Sequence, residues 1–211
     1  MLTVHHLGVS QSERIVWLCE ELGIPYELKR YEREPDTRHA PPAYRALHPI
    51  GIAPIITDGD VVLPESGAII QYVIGKYGNG RLAVGPEAPN FADYLFWLHF
   101  ANATLLPSGA GAAAAKPGEA ETPRARMVRE RNLRAWKLIE DRLGEKPYFA
   151  GDEFTAADII MVFPLTTMRI YSPRDLTPYP NIRAYLKRIG ERPAYRRAME
   201  KGDPGMTPLL S

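Results

Sequence analysis

The stretch "YGNGRLAVGPEAPN", residues 77–90, divides the chain into two texts with different periods. It is crowded with glycine and proline, which continue neither helix nor strand well. Upstream of it strand-like and helix-like stretches alternate; downstream no convincing strand pattern appears. Such a chain is expected to fold as a small mixed α/β domain, residues 1–78, followed by an all-helical domain, residues 87–211.

The upstream half reads as two linked motifs. "LTVHHL" is a short apolar run, "GVSQSE" supplies turn and cap chemistry, and Ile15, Leu18, Cys19 and Leu22 then recur at helical spacing. Gly23 and Pro25 stop that helix and "YELKRY" alternates like a strand, so residues 2–31 form a βαβ unit that favours parallel pairing. Residues 32–51 carry four prolines and read as an exposed connection with a short helix near Ala43–Leu47. "PIIT" and "VVLP" flank Asp58-Gly59-Asp60, a hairpin signal. Ser66 is a good N-cap in front of Ile69, Ile70, Val73 and Ile74.

Downstream, "FADYLFWLHFANATLL" reads as a long aromatic-rich helix, "GAGAAAAKPGEAETP" as a small-residue connector, and "RARMVRERNLRAWKLIEDRLG" as an amphipathic helix ending at Gly144. "FTAADIIMVFPLTTM" is apolar nearly all round, as a helix buried inside a bundle must be, with a kink expected at Pro164. Thr155 and Asp158 have the spacing of a capping box that starts it. "NIRAYLKRIGERP" sets Ile182, Tyr185, Leu186 and Ile189 on one face.

Bulk properties narrow the partners. Lys and Arg total 26 against 25 Asp and Glu, so composition builds in no pull toward nucleic acid or anionic membrane. The lone cysteine, Cys19, excludes an internal disulfide framework and suits a reducing compartment; on the apolar face of the first helix it reads as core. No charged leader precedes an apolar run at the N-terminus, and no run of about 18 apolar residues occurs. The expectation is a cytoplasmic protein without a membrane partner. His5 and His6 read as one facing the sheet interior and one facing solvent, without metal ligation, and only His6 is near enough to the turn to help there.

Four pieces, "VSQSERIVWLCEELGIPYEL", "HPIGIAPI", "DGDVVLPESGAIIQYV" and "FAGDEFTAADIIM", occur in an order and spacing that resembles the cytosolic glutathione S-transferases, in particular bacterial-type members with a serine-containing active-site turn. The resemblance covers nearly the whole chain. It implies a thioredoxin-like N-terminal domain plus an all-α C-terminal bundle, a homodimer, and glutathione as co-substrate with no further cofactor and no metal. The partners it implies are glutathione and an electrophilic, mostly apolar small molecule.

The residues fit that chemistry. The γ-glutamyl head carries an ammonium and a carboxylate: Glu65 offers the negative charge, while Ser66 and the free N–H groups of a helix N-terminus offer donors. In the family the proline at position 54 is cis and residue 53 offers its backbone to the cysteinyl part, so Ala53 and Pro54 are expected at the site. Members often carry a polar residue where this chain has Ile52; His48, Arg14 or another cation would have to meet the glycyl carboxylate, and weaker or differently anchored glutathione is expected. For the thiol, Ser10 in the turn leaving the first strand is the first choice, and Ser12, read as the helix N-cap, is the alternative. Trp97, Phe100, Leu106 and Arg169 are candidates for the hydrophobic substrate site. The leading function is a transferase of the detoxification type, with peroxidase activity as an extension; the alternative is a non-catalytic binding or interaction module.

Overall fold

A computed structural model describes residues 1–110 and 122–211. The connector read over residues 109–123 therefore lies largely outside the described residues.

The chain opens with strand β1 (Leu2–Leu7), helix α1 (Glu13–Leu22) and strand β2 (Glu27–Tyr31). β1 and β2 pair in parallel, Val4 opposite Leu28 and Leu7 opposite Tyr31. Gly23 ends α1 in the left-handed conformation (φ 61°) and returns its N–H to the Cys19 carbonyl, a geometry glycine adopts without a Cβ penalty. A short helix α2 (Pro42–Arg45) interrupts the proline-rich connection. Strands β3 (Ile55–Asp58) and β4 (Val61–Pro64) form the expected hairpin, and β3 pairs antiparallel with β1, giving the order β2-β1-β3-β4.

Helix α3 (Ser66–Tyr77) follows β4 directly. The Asp58 carboxylate at the end of β3 accepts from Tyr72 Oη at 2.9 Å, Lys76 Nζ at 2.6 Å and Tyr77 Oη at 2.5 Å, which fixes α3 against the hairpin. The residue at the N-cap position is Glu65 rather than Ser66. Glu65 has φ 74° and makes no side-chain cap bond, and Ser66 begins the helix.

The second half contains α4 (Phe91–Phe100), a π-helical turn (Ala101–Leu105), α5 (Leu106–Ala110), α6 (Pro123–Glu145), α7 (Ala156–Leu165), a 3₁₀ turn (Thr167–Ile170), α8 (Pro180–Gly190) and α9 (Pro193–Gly202). The single helix expected over residues 91–106 is thus broken by a π-helical turn, a local distortion that periodicity does not announce. The capping box of α7 is formed: Asp158 Oδ2 accepts the Thr155 N–H at 2.9 Å and Thr155 Oγ1 accepts the Ala157 N–H. Every residue of α7 is buried. Pro164 is its penultimate residue, so the chain leaves the helix there rather than continuing past a kink.

One continuous core runs through both halves, because α1 packs on α7 and α9. Trp17 meets Tyr195 edge-on at 4.9 Å, and the Glu21 carboxylate takes both Nε and Nη2 of Arg192 at 2.7 and 2.8 Å. A smaller cluster of Leu7, Tyr31, Ala40, Tyr44 and Ile55 packs together on the end of β1 that leads into the turn before α1. No described helix is long and apolar enough to cross a membrane.

Candidate functional site

The turn between β1 and α1 is held from both sides. Val9 sits at φ 51°, a conformation a β-branched residue rarely adopts unless its surroundings enforce it. Its N–H donates to Asp203 Oδ1 at 2.9 Å, and its carbonyl accepts from Tyr171 Oη at 2.7 Å and Arg33 Nη2 at 3.2 Å. The next residue is Ser10. Its hydroxyl lies 2.8 Å from Ser12 Oγ and accepts the Ser12 N–H at 3.2 Å.

Ser12 occupies the N-cap position of α1 but makes no cap bond. Its hydroxyl turns back instead, taking the Leu7 N–H at 3.1 Å and lying 3.0 Å from His6 Nδ1 and 3.3 Å from the Leu7 carbonyl, the two acceptors open to its hydrogen. His6 is fully buried, with Nε2 3.2 Å from Asp203 Oδ2. Burial alone would raise the Asp203 carboxyl, but the bonds from His6 and the Val9 N–H hold it below its ordinary range. Both histidines are interior, contrary to the expected split. His5 bridges Tyr31 Oη and Thr57 Oγ1, each at 3.0 Å, so its solvent-facing register is replaced by hydrogen bonds to neighbouring strands.

Two cavities open on this turn. The larger, about 560 Å³, is lined by Val9 and Ser10, by Arg38, His39 and Arg45 from the proline-rich connection and α2, and by Phe163, Met168 and Tyr171 from the helical half. The smaller, about 390 Å³, is lined by Pro54, Glu65, Ser66, Asn102 and Leu106. Gln11, Ile52, Ala53 and Met168 line both, so the two form adjoining parts of one groove. The Ala53–Pro54 bond is cis. Glu65 delivers its exposed side chain beside the first turn of α3, whose leading N–H groups have no intrahelical partner.

Beneath the smaller cavity lies Arg14, 1 % exposed. One of its nitrogens, Nη1, reaches Ser66 Oγ at 3.2 Å, Asn102 Oδ1 at 3.0 Å and the Gln11 side chain; Nε and Nη2 are buried without a hydrogen-bond partner among the described residues. Burial lowers its pKa to about 9, partly offset by Glu13, so it remains a cation at neutral pH.

The structure thus brings Ser10, Ile52, Ala53, Pro54, Glu65, Ser66 and Leu106 to the groove. Trp97 and Phe100 go into the helical core, where Trp97 packs on Phe149 at 4.9 Å, and neither lines either cavity. Arg169 lies outside both cavities and donates to the carbonyls of Arg174, Leu209 and Ser211, tying down the C-terminal tail. His48 lines neither; its Nδ1 accepts the Ile50 N–H. Gln11, Asn102, Met168 and the basic set Arg38, His39 and Arg45 were not expected. Asn102 enters through the π-helical turn, Arg38 and His39 through an irregular loop and Arg45 at the end of the short helix α2, none of which has a periodic signature that points at the groove.

The sequence matches the family model for the glutathione S-transferase N-terminal domain over residues 10–74 and that for the C-terminal domain over residues 96–193. It is 34% identical over 226 residues to glutathione S-transferase 3 of Schizosaccharomyces pombe, spanning 100% of this chain and 92% of that one. The chain belongs to the glutathione S-transferase family. Glutathione S-transferase GstB of Escherichia coli is 29% identical across 89% of this family member and 91% of its own length. The crystal structure of a glutathione S-transferase from Actinobacillus pleuropneumoniae superposes with a TM-score of 0.86 at 36% identity, covering 96% of this chain and 93% of the other. The fold is accordingly the thioredoxin-like sheet domain with a helical C-terminal part.

Proposed function

We propose that this chain is a glutathione transferase in which Ser10 stabilises the thiolate of bound glutathione for attack on an electrophilic, mostly apolar small molecule. The observation that carries the reading is the shared groove: Ser10 lines one cavity, Glu65 and Ser66 line the other, and Ala53 belongs to both. A tripeptide laid along it has its γ-glutamyl carboxylate at the start of α3 and its ammonium at Glu65. Its cysteinyl backbone runs along Ala53, and its sulfur lies at Ser10.

The energetics are adequate. A free thiol has a pKa near 8.5, and lowering it by about two units needs about 2.7 kcal/mol. One or two charge-assisted hydrogen bonds at about 1.5–3 kcal/mol each supply that, helped by the N-terminus of α1. The glycyl carboxylate, which Ile52 cannot meet, is assigned to Arg38, His39 or Arg45 on the larger cavity. Phe163, Met168 and Tyr171 offer the apolar surface for the second substrate.

The names of the relatives do not favour the non-catalytic alternative. The division at residues 1–78 and 87–211, a cytoplasmic location and a homodimer belong to the same reading. Val61 and Val62 on β4 and Leu95 and Phe96 on α4 are exposed apolar side chains available to a second copy. No group of three or more potential metal ligands occurs among the described residues. The test is the rate of conjugation of glutathione to an activated aryl halide. Ser10→Ala should lower kcat/KM by about a hundredfold, the worth of one such bond; absence of turnover in the native chain with every electrophile tried would count for the non-catalytic alternative.

A further inference from the structure

Ser10 is the groove end of a chain of four polar side chains, Ser10–Ser12–His6–Asp203, with successive separations of 2.8, 3.0 and 3.2 Å. Ser12 and His6 are completely buried, and Ser10 and Asp203 nearly so. Two features mark it. Ser12 holds an N-cap position yet turns its hydroxyl back to His6 Nδ1 at 3.0 Å and to the Leu7 backbone, whose N–H it accepts at 3.1 Å and whose carbonyl lies at 3.3 Å. The Asp203 carboxylate also fixes the turn itself through the Val9 N–H, so one group orients both ends.

We propose that the chain is a proton relay, with His6 and Asp203 as positioning residues that receive the glutathione thiol proton through Ser12 and Ser10. The inference rests on the thiol lying at Ser10.

The hydrogen-bond roles allow two complete settings. In the first, His6 is neutral: Nε2–H donates to Asp203, Nδ1 accepts from the Ser12 hydroxyl, Ser12 Oγ accepts from the Ser10 hydroxyl, and Ser10 Oγ accepts the thiol proton. In the second, every hydrogen has moved one place. The S–H bond has broken with its electron pair kept on sulfur, Ser10 donates to the thiolate, Ser12 donates to Ser10, and His6 Nδ1–H donates to Ser12. His6 is then a cation against the Asp203 carboxylate, and no proton has been lost or added. The N–H bonds from Leu7 to Ser12 and from Ser12 to Ser10 persist in both settings. The relay therefore supplies both the acceptor for the proton and, once it has moved, the donor that stabilises the sulfur anion. Other charged groups around the His6–Asp203 pair are Arg30 on β2, opposite His6 in the parallel register, Glu13 at the start of α1, and Glu32, whose carboxylate comes close to Gly8 alongside that of Asp203.

The experiment is the ultraviolet absorbance of the thiolate of glutathione bound to the full-length protein, titrated with pH. Ser12→Ala breaks the chain in its middle while leaving His6 and Asp203 in place, and His6→Gln keeps a donor for Asp203 but cannot hold the proton. Each should raise the thiolate midpoint by about one unit, about tenfold less thiolate at neutral pH, with glutathione still bound by calorimetry. Ser12→Thr, which retains the hydroxyl, should restore it. If His6→Gln fails to fold, Ser12→Ala and Asp203→Asn decide the matter. A raised midpoint in Ser10→Ala with an unchanged one in Ser12→Ala would overturn the relay while leaving the role of Ser10 intact. Failure of the native chain to take up glutathione would overturn both.

Discussion

Arg14, in the first turn of α1, donates from Nη1 to the hydroxyl of Ser66, the first residue of α3, at 3.2 Å. The same nitrogen reaches Gln11 and Asn102, so one guanidinium joins three elements that line the smaller cavity, and Phe163 lies under its charge at 5.0 Å. Removing it leaves Ser66 and Asn102 without their common donor. Arg14→Met should raise the KM for glutathione by about ten- to hundredfold, the worth of a hydrogen bond to a charged group, with a smaller effect on kcat. Steady-state kinetics on both substrates checks this, and an unchanged KM would remove Arg14 from the binding machinery.

The basic rim of the larger cavity makes a separate prediction. Arg45 is half-exposed, and its ion pair among the described residues is a 3.6 Å contact to Glu34, so its charge is available to a ligand carboxylate but screened by salt. Arg45→Ala should weaken glutathione a few-fold and flatten the salt dependence of binding. It should weaken γ-glutamylcysteine, which lacks the glycyl carboxylate, hardly at all. Equal losses for both peptides in a calorimetric titration would place the glycyl end elsewhere.

Glu13 predicts a pH effect on stability. It begins α1, where the helix dipole favours its anion, yet it is buried with Thr167 Oγ1 donating to it at 2.7 Å. Burial dominates and pushes its pKa up to about 8. A carboxyl raised above its unfolded value holds its proton longer in the folded state, so its contribution is full at low pH and is lost as pH rises toward about 8. Between about pH 5 and about pH 9 the native melting temperature should therefore fall by about 5 °C or more beyond that of Glu13→Gln, which has no such titration. Parallel melting curves for the two proteins would show that Glu13 is ionised throughout.

Asp158 is structural. Its carboxylate accepts the N–H groups of Thr155 and Phe149 at 2.9 and 3.0 Å and the Tyr185 hydroxyl at 3.1 Å, all inside the helical core. Alanine there strands three buried donors at about 1–3 kcal/mol each. Calorimetric melting of Asp158→Ala should drop by about 10 °C, while the glutathione KM of the remaining folded protein stays near native.

The two periods of the text were enough to give the architecture. Alternation in "YELKRY", Asp-Gly between two apolar runs, and helical spacing from Ile69 to Ile74 are local consequences of backbone geometry, and each reappears in the sheet and in α3. Pro54, Glu65 and Ser66 stood out as candidates for the same reason, since a proline before a strand and an acid-serine pair at a helix start are adjacent residues, although the N-cap is Glu65 and not Ser66. Misreadings arose where burial depends on distant packing. Trp97 and Phe100 have the spacing of a pocket face, but Phe149, some fifty residues on, packs on Trp97, and Phe100 packs on Trp97 and Phe96; His5 and His6 alternate as strand residues do, but His5 bonds Thr57 and His6 bonds Asp203.

The order of residues alone carried the elements of the sheet half, the hairpin and the capped start of α7, and it singled out candidates for a zwitterionic head; α9 and the break at Ala101–Leu105 escaped it. Which hydroxyl faces the groove, what stands behind it and which cations rim it were set by packing in three dimensions. Asp203 meets His6 across 197 positions, and no periodicity of a single segment encodes a contact of that separation. Such a meeting is set by the packing of α1 on α9, a property of the whole core.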